Sequence, residues 1–415
     1  MSPPSYTREL TLALRAVHSA SLLTKRVLRS LSNSVSAETK ADDSPVTIAD
    51  FAAQAVLISA LHATFPEDAF IGEESADALR SNGSLADRVW ELVQQAKEEA
   101  YAASSGRSEV QGKGAGCANA SEEEKEERTM MRNEETVATA AAAEAEADAD
   151  QQHSLTFPAS KEDMLDLIDR GGKGQVTGSG RVWVMDPVDG TATFMQGQQY
   201  AVCLCLLLDG VQTVGVIGCP NLALDVQAPP GTTKLHEDTV DTHGYGVVLS
   251  AVKGHGTHVR HMEASSLGPP HRIDLTTLPP KPLTQLDFVE TTLGKTSLCQ
   301  DEHAAVASCL GAPWPGTVLW SQQLKHVALA LGATDVMVRI PKTADRFTYI
   351  WDHAGGHLLF QEAGGMISDF HGEQIDFAQG RRILGTRNFG MIATLPGVFE
   401  DVGRAVKEVL GRRGE

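Results

Sequence analysis

The sequence predicts a layered α+β or α/β protein with two domains in one chain, and three observations carry that prediction. Residues 200–208 and 211–217 are near-continuous apolar runs joined by Asp209-Gly210, the pattern of two central strands and their turn. From about residue 245 onward, short apolar strands alternate with helical patterns, as in an α/β layer. The chain has 415 residues, enough for two cores. A polar loop at about 228–243 marks the expected boundary, giving domains 1–240 and 241–415.

Taken in order, Leu10, Leu12, Leu14, Val17, Leu22, Leu23, Val27 and Leu28 give the first 30 residues an apolar face suited to covering a core. Arg8, Arg15, Lys25, Arg26 and Arg29 stand there against one acid, Glu9, a balance that mitochondrial presequences share. The core helix is the reading adopted, with a cytoplasmic location. Ser44 to Ala49 reads as an extended entry to a helix over about Asp50–Ala63, which Pro66 ends. Ala69 to Ser75 is a short strand running into Glu73 and Glu74, and helices follow at 76–79 and 85–93. From about 96 to 154 no apolar face persists, so a disordered acidic insert is expected. Residues 121–150 alone hold 11 Asp/Glu against 3 Lys/Arg. A helix over Pro158–Arg170 and a glycine-rich turn at 171–180 precede the strand Val182–Asp186. The turn lacks the Gly-Lys-Ser/Thr of a P-loop. The second half predicts strands at 245–250, 288–290 and 336–340, and helices at 300–310, 321–331 and 352–363. Residues 254–285, rich in Pro, Gly and His, are expected to form a surface excursion.

A formal net charge of −19 argues against nucleic acid as a partner, because such a face should be basic. No apolar run reaches the roughly 18 residues of a membrane span. The cysteines at 117, 203, 205, 219, 299 and 309 form no C-x-x-C pair, and Cys203 and Cys205 share one face of a strand. Reduced thiols in an intracellular monomer are expected.

The chemistry concentrates in Val182-Trp183-Val184-Met185-Asp186-Pro187-Val188-Asp189-Gly190-Thr191-Ala192-Thr193-Phe194. A buried strand ends in two carboxylates, turns on a glycine and opens a helix with hydroxyls and free amides. Oxygens for a hard cation thus sit beside N–H groups for an anion. Glu73 and Asp352 also stand at breaks in regular structure. Each acid alone also suits a cap, a turn or a solvated first-turn position. Together, if the fold converges them, they favour Mg²⁺.

Asp186-Pro187-Val188-Asp189-Gly190-Thr191, with Gly72-Glu73-Glu74-Ser75 upstream and Trp351-Asp352-His353-Ala354-Gly355-Gly356 downstream, resembles the three-part signature of the lithium-sensitive inositol monophosphatase superfamily. Asp43 to Asp50, Gly197 to Cys203 and Ile217 to Leu222 resemble its 3′(2′),5′-bisphosphate nucleotidase branch. The resemblance covers nearly the whole chain outside 96–154 and 254–285. It implies the α-β-α-β-α sandwich of the inositol monophosphatase and fructose-1,6-bisphosphatase type. It also implies two or three Mg²⁺ held by Glu73, Asp186, Asp189, Asp352 and the Val188 carbonyl. Asp50 and Thr191 would be catalytic, deprotonating the attacking water, and the Gly190 and Thr191 amides would receive the phosphate. Ser321, Lys325, Arg339 and Asp352 complete the implied substrate contacts.

The implied substrate is a small phosphorylated nucleotide. Adenosine 3′,5′-bisphosphate would lose its 3′-phosphate to give AMP, and 3′-phosphoadenylyl sulfate would give adenylyl sulfate. Lithium sensitivity and roles in sulfate assimilation and salt tolerance belong to the same implication. The chain departs from the family pattern at three places. Ser297-Leu298-Cys299-Gln300 stands where a histidine-serine segment is expected, Gln322 replaces a serine beside Ser321, and Tyr349 replaces a lysine. Lys325 and Arg339 also suit exposed charges. His353 and His357, on an apolar helix, read as packing residues. Two rival functions remain: an inositol (poly)phosphate 1-phosphatase using the same metal site, and a non-catalytic nucleotide sensor. The retained Asp50, Thr191 and four acids count against the sensor.

Overall fold

The computed structural model describes residues 6–30, 37–39, 45–104, 155–175, 178–291 and 297–414. Helix α1 (Thr7–Ser30) turns Leu12, Val17, Leu23 and Val27 into the core, as its apolar stripe predicts. Strands β1 (Ala37–Thr39) and β2 (Pro45–Thr47) form an antiparallel ribbon leading into α2 (Ile48–Thr64). Helix α2 is buried from Ile48 through Leu61, and Asp50, Gln54 and Ser59 are buried with it.

Strand β3 (Ala69–Gly72) is followed by α3 (Asp77–Ser81), α4 (Gly83–Ser104) and α5 (Lys161–Gly172). The helix expected over 85–93 therefore continues to Ser104, which moves the expected start of the insert beyond that residue. Contacts hold the extra turns: Ala96 is buried, Arg26 pairs with Glu99, and Tyr101 meets Phe157 edge-on with ring centroids 6.2 Å apart. Residues 105–154, the rest of the expected insert, lie outside the described residues. Ser160 caps α5 by accepting the Asp163 N–H at 3.1 Å.

Strands β4 (Arg181–Asp189), β5 (Ala201–Leu208), β6 (Val211–Cys219), β7 (Val247–Val252), β8 (Thr257–His261) and β9 (His271–Ile273) extend β3 into one seven-stranded sheet in sequence order. Only the β3–β4 pair is parallel. A single helical turn, α6 (Thr191–Phe194), links β4 to β5. The surface excursion expected at 254–285 is corrected: it contains β8 and β9, the edge of this sheet. Thr257 and Val259 point inward while His258 and Arg260 face outward, so the alternation is present but written largely in polar residues. The loop at 228–243 joins β6 to β7, which pair with each other, so the sheet crosses residue 240.

The remaining chain forms β10 (Val289–Glu290), α7 (Gln300–Leu310), β11 (Thr317–Val318), α8 (Gln322–Ala330), β12 (Val336–Arg339), β13 (Phe347–Tyr349), α9 (Ala354–Glu362), β14 (Met366–Ser368), β15 (Arg382–Leu384), β16 (Met391–Thr394) and α10 (Phe399–Gly411). A three-stranded sheet runs β12–β16–β14, and β13 pairs with β15 as a separate ribbon.

Side-chain alternation shows how these parts stack. On β5, Val202, Leu204 and Leu206 join the core beneath α1, α2, α4 and α5, whereas Ala201, Cys203, Cys205 and Leu207 join the core containing α8 and α9. On β12, Met337 faces that second core, and Val336 and Val338 face a third with α7 and α10. The order is helices, large sheet, helices, small sheet, helices: the expected α-β-α-β-α sandwich. At the far end of β4, Asp68 accepts from the Trp183 indole N–H and from Arg181 Nε, both at 2.8 Å.

The middle helices are close. An added Cβ at Gly356 would stand 2.5 Å from Gln323 Oε1 and 2.6 Å from His326 Cβ. Gly356→Ala should overpack α8 against α9 and lower stability by about 1–3 kcal/mol, read as a reduced urea midpoint at unchanged slope.

Candidate active site

In a regular strand, residues three apart face opposite sides of the sheet. Asp186 and Asp189 escape this through a bulge. Asp186 lies opposite Cys203 and Asp189 opposite Ala201, so β4 carries one more residue than β5 over this step. Pro187 in the bulge has no N–H to leave unpaired, and Asp186 Oδ1 accepts the Val188 N–H at 3.2 Å. Gly190 then turns the chain at φ 95°, a conformation costly for any residue with a Cβ. The Thr191 hydroxyl donates back to the Val188 carbonyl at 3.2 Å.

Asp352 arrives from a 3₁₀ turn, Ile350–Asp352, just before α9. Carboxylate oxygens of Asp186, Asp189 and Asp352 lie within 4.8 Å of one another. Burial raises the Asp352 carboxyl to about 8, with Asp189 and Glu73 pushing in the same direction. Burial also raises Asp189, opposed by its hydrogen bonds to Ser321 and Gln323. This donor set is all oxygen, enclosed and mutually repelling. Such a set fits a hard divalent cation, whose charge would relieve the repulsion.

Each acid is fixed through its neighbours. Asp189 sits at the N-terminus of α8, accepting from the Ser321 hydroxyl at 2.6 Å and the Gln322 and Gln323 N–H groups at 3.3 and 2.5 Å. The Ser321 oxygen in turn accepts the Leu324 N–H at 3.0 Å, and Ser321 is 1% exposed. Its hydroxyl, expected to meet substrate, is thus committed to Asp189 and the helix cap. Gln54 brackets Glu74, accepting its N–H at 3.0 Å and donating to its carbonyl at 2.6 Å and to the Ile168 carbonyl at 2.9 Å. Gln323 donates to the Trp351 carbonyl at 2.6 Å and accepts the Gly356 N–H at 2.7 Å. The residues beside Glu73 and Asp352 are each held by a buried amide.

Lys325 is 3% exposed, which removes the surface-charge alternative for it. Burial lowers it to about 8, followed by repulsion from Arg339. Burial lowers Arg339 as well, with Asp352, Glu290 and Asp189 opposing. Arg339 Nη1 and, at 3.4 Å, Lys325 Nζ both donate to Gln322 Oε1. Asp50 is fully buried on α2. His353 and His357 are buried too: His353 Nε2 lies 2.9 Å from the Thr348 hydroxyl, and His357 Nδ1 lies 3.1 Å from Gln212 Nε2. Both fill the interior beside His326, as packing residues.

Gln54, Gln323 and Thr348, whose hydroxyl donates to Asp352 Oδ2 at 3.4 Å, were not legible as site residues. Gln54 carried one usable signal, an uncharged polar residue one turn after Asp50 in the apolar first half of the helix. Gln54→Leu should lower stability by about 2–3 kcal/mol, because three backbone groups lose their partner in a buried place, and urea unfolding measures it.

The sequence matches the inositol monophosphatase family over residues 93–396. It is 35% identical over 406 residues to the 3′(2′),5′-bisphosphate nucleotidase of Emericella nidulans, covering 98% of this chain and 99% of that one. Its identity to the 3′(2′),5′-bisphosphate nucleotidase of Schizosaccharomyces pombe is 33% over 413 residues, covering 98% and 97%. The fold is similar to that of an IMPase from Thermotoga maritima, with a TM-score of 0.51 at 15% identity over 97% of this chain and 98% of that one. With the family match spanning most of its length, and with relatives this similar end to end, the chain belongs to the inositol monophosphatase family.

Proposed function

We propose that this protein is a Mg²⁺-dependent phosphatase that hydrolyses the 3′-phosphate of adenosine 3′,5′-bisphosphate to AMP, and that it accepts 3′-phosphoadenylyl sulfate. One observation carries the reading: the converged carboxylates Asp186, Asp189 and Asp352 stand in a chain similar over nearly its full length to proteins named for that activity. Glu73, Asp186, Asp189, Asp352 and the Val188 carbonyl would hold two or three Mg²⁺. When bound, these ions supply charge for the phosphoryl oxygens and make water a better nucleophile.

The chain's own residues do the rest. Gly190 and Thr191 offer backbone N–H groups to the scissile phosphate at the α6 turn. Thr191 and the buried Asp50 orient the attacking water and take its proton. The water oxygen forms a bond to phosphorus as the bond to the 3′-oxygen breaks, so no phosphoenzyme is required. Lys325 and Arg339 receive the nucleotide's second phosphate, for which two adjacent cations suit a dianion. We assign Ser321 to holding Asp189 in place of the direct substrate contact expected from the sequence. A cytoplasmic setting completes the proposal, supported by the free, buried thiols of Cys203, Cys205 and Cys219. Among the described residues no helix is long and apolar enough to cross a membrane.

Thr191→Ala and Asp50→Asn should each lower kcat by about 10²–10⁴-fold. The Thr191→Ala melting temperature should stay within a few degrees of the parent. Phosphate release from adenosine 3′,5′-bisphosphate, 3′-phosphoadenylyl sulfate and inositol 1-phosphate, with and without Mg²⁺, tests the assignment. Preference for inositol 1-phosphate would overturn the nucleotidase reading, and no release from any substrate would overturn the enzyme.

A further inference from the structure

Arg381 joins the two segments that carry Glu73 and Asp352. Its Nη2 donates to the Gly72 carbonyl at 2.8 Å, one residue before Glu73. Its Nη1 donates to the Gly171 carbonyl at 3.0 Å, with the Gly174 carbonyl at 3.5 Å, where α5 ends against β3. The guanidinium carbon lies 4.7 Å from the centre of the Trp351 indole, one residue before Asp352. Tyr349 stacks on that indole with centroids 4.5 Å apart at 10°. The Arg381 carbonyl accepts the Ile350 N–H at 3.1 Å, so backbone and side chain grip the same turn. Gly72 and Arg381 are 309 residues apart in sequence. Among the described residues Arg381 makes no salt bridge.

We infer that Arg381 is a positioning residue that sets the separation of Glu73 from Asp352, and through it the affinity of the carboxylate site for divalent cations. The inference rests on the reading that these acids hold metal. Gln54 already fixes Glu74 on the far side of Glu73, and Gln323 fixes the Trp351 carbonyl on the near side of Asp352. Neither amide touches both segments. Arg381 does, and its planar fork is what lets one side chain reach two carbonyls while lying against an indole. A lysine could keep the positive charge near Trp351 and one carbonyl contact, but not the fork. Loss of an outer partner that orients metal ligands typically weakens affinity about 10–100-fold.

The test titrates metal-free full-length protein with Mn²⁺ alone, followed by water-proton relaxation. Arg381→Met should weaken Mn²⁺ binding about 10–100-fold, and Arg381→Lys should recover part of that loss. Asp68→Asn serves as the control, since it disturbs the Trp183 and Arg181 contacts at the other end of β4 and should leave Mn²⁺ affinity near the parent value. Parent-like affinity, within twofold, in both Arg381 variants would overturn the inference while leaving the metal site standing. An equal loss in Asp68→Asn would also overturn it, since the effect would then be general destabilisation. A parent that binds no Mn²⁺ would overturn the metal-site reading itself, and the inference with it.

Discussion

Like charges held close together out of water are the constraint on which the rest of this structure depends. Asp186 and Asp189 are buried, Asp352 is half-buried, and their oxygens approach within 4.8 Å. Left to themselves, carboxylates so placed would move apart or take up protons, as the rise of Asp352 to about 8 expresses. The fold prevents the first response by building the supports into the interior. Asp189 is clasped by the α8 N-terminus, Gln54 fixes the backbone after Glu73, and Gln323 fixes the backbone before Asp352. These are amides and helix ends, neutral groups that hold position without cancelling the charge a cation would need.

That choice explains the placement of the layers. Helix α2 delivers Asp50 and Gln54 from one side of the large sheet, and α8 and α9 deliver the supports of Asp189 and Asp352 from the other. The end of β4 lies between them. The bulge there is needed because the pleat would otherwise send Asp186 and Asp189 to opposite layers. Close contact between α8 and α9 follows from the same demand, since Gln323 reaches both the Trp351 carbonyl and the Gly356 N–H only if the two helices nearly touch at a glycine.

Much of this was readable in the sequence, for physical reasons that differ by element. The central strands β4, β5 and β6 announce themselves because burial on both faces leaves long, mainly apolar runs. The carboxylates at 73, 186, 189 and 352 stand out because they interrupt such runs. The convergence of Asp186, Asp189 and Asp352 was not readable, since it depends on a bulge and on two distant chain segments meeting, with Glu73 near enough to push on Asp352. β8 and the edge strand β9 were not legible because they are short and carry His and Arg at their partly exposed positions, which composition reads as loop. Ser321 resembled a substrate contact, and only the fold shows its hydroxyl turned to Asp189. Arg381 carried no signal, because a side chain that serves distant backbone carbonyls leaves no pattern around itself.

Beside the acids lies a second concentration of charge, of opposite sign. Buried Lys325 and half-buried Arg339 share the Gln322 oxygen, and burial draws Lys325 down to about 8. The two groups partly offset each other: Asp189 and Asp352 favour the charged forms of Lys325 and Arg339, and both cations oppose the rise of Asp352. Helix α8 ties the two together, with Asp189 at its N-terminus and Lys325 one turn inside. On the proposed reading, metal binding relieves the first group and a phosphorylated ligand relieves the second, favouring protonated Lys325 as it binds. A ligand carrying two phosphates can place one beside the metal-holding acids and the other on Lys325 and Arg339, whereas a monophosphate engages only one of the two places. The selectivity proposed for this site therefore rests on a ligand that engages both groups together.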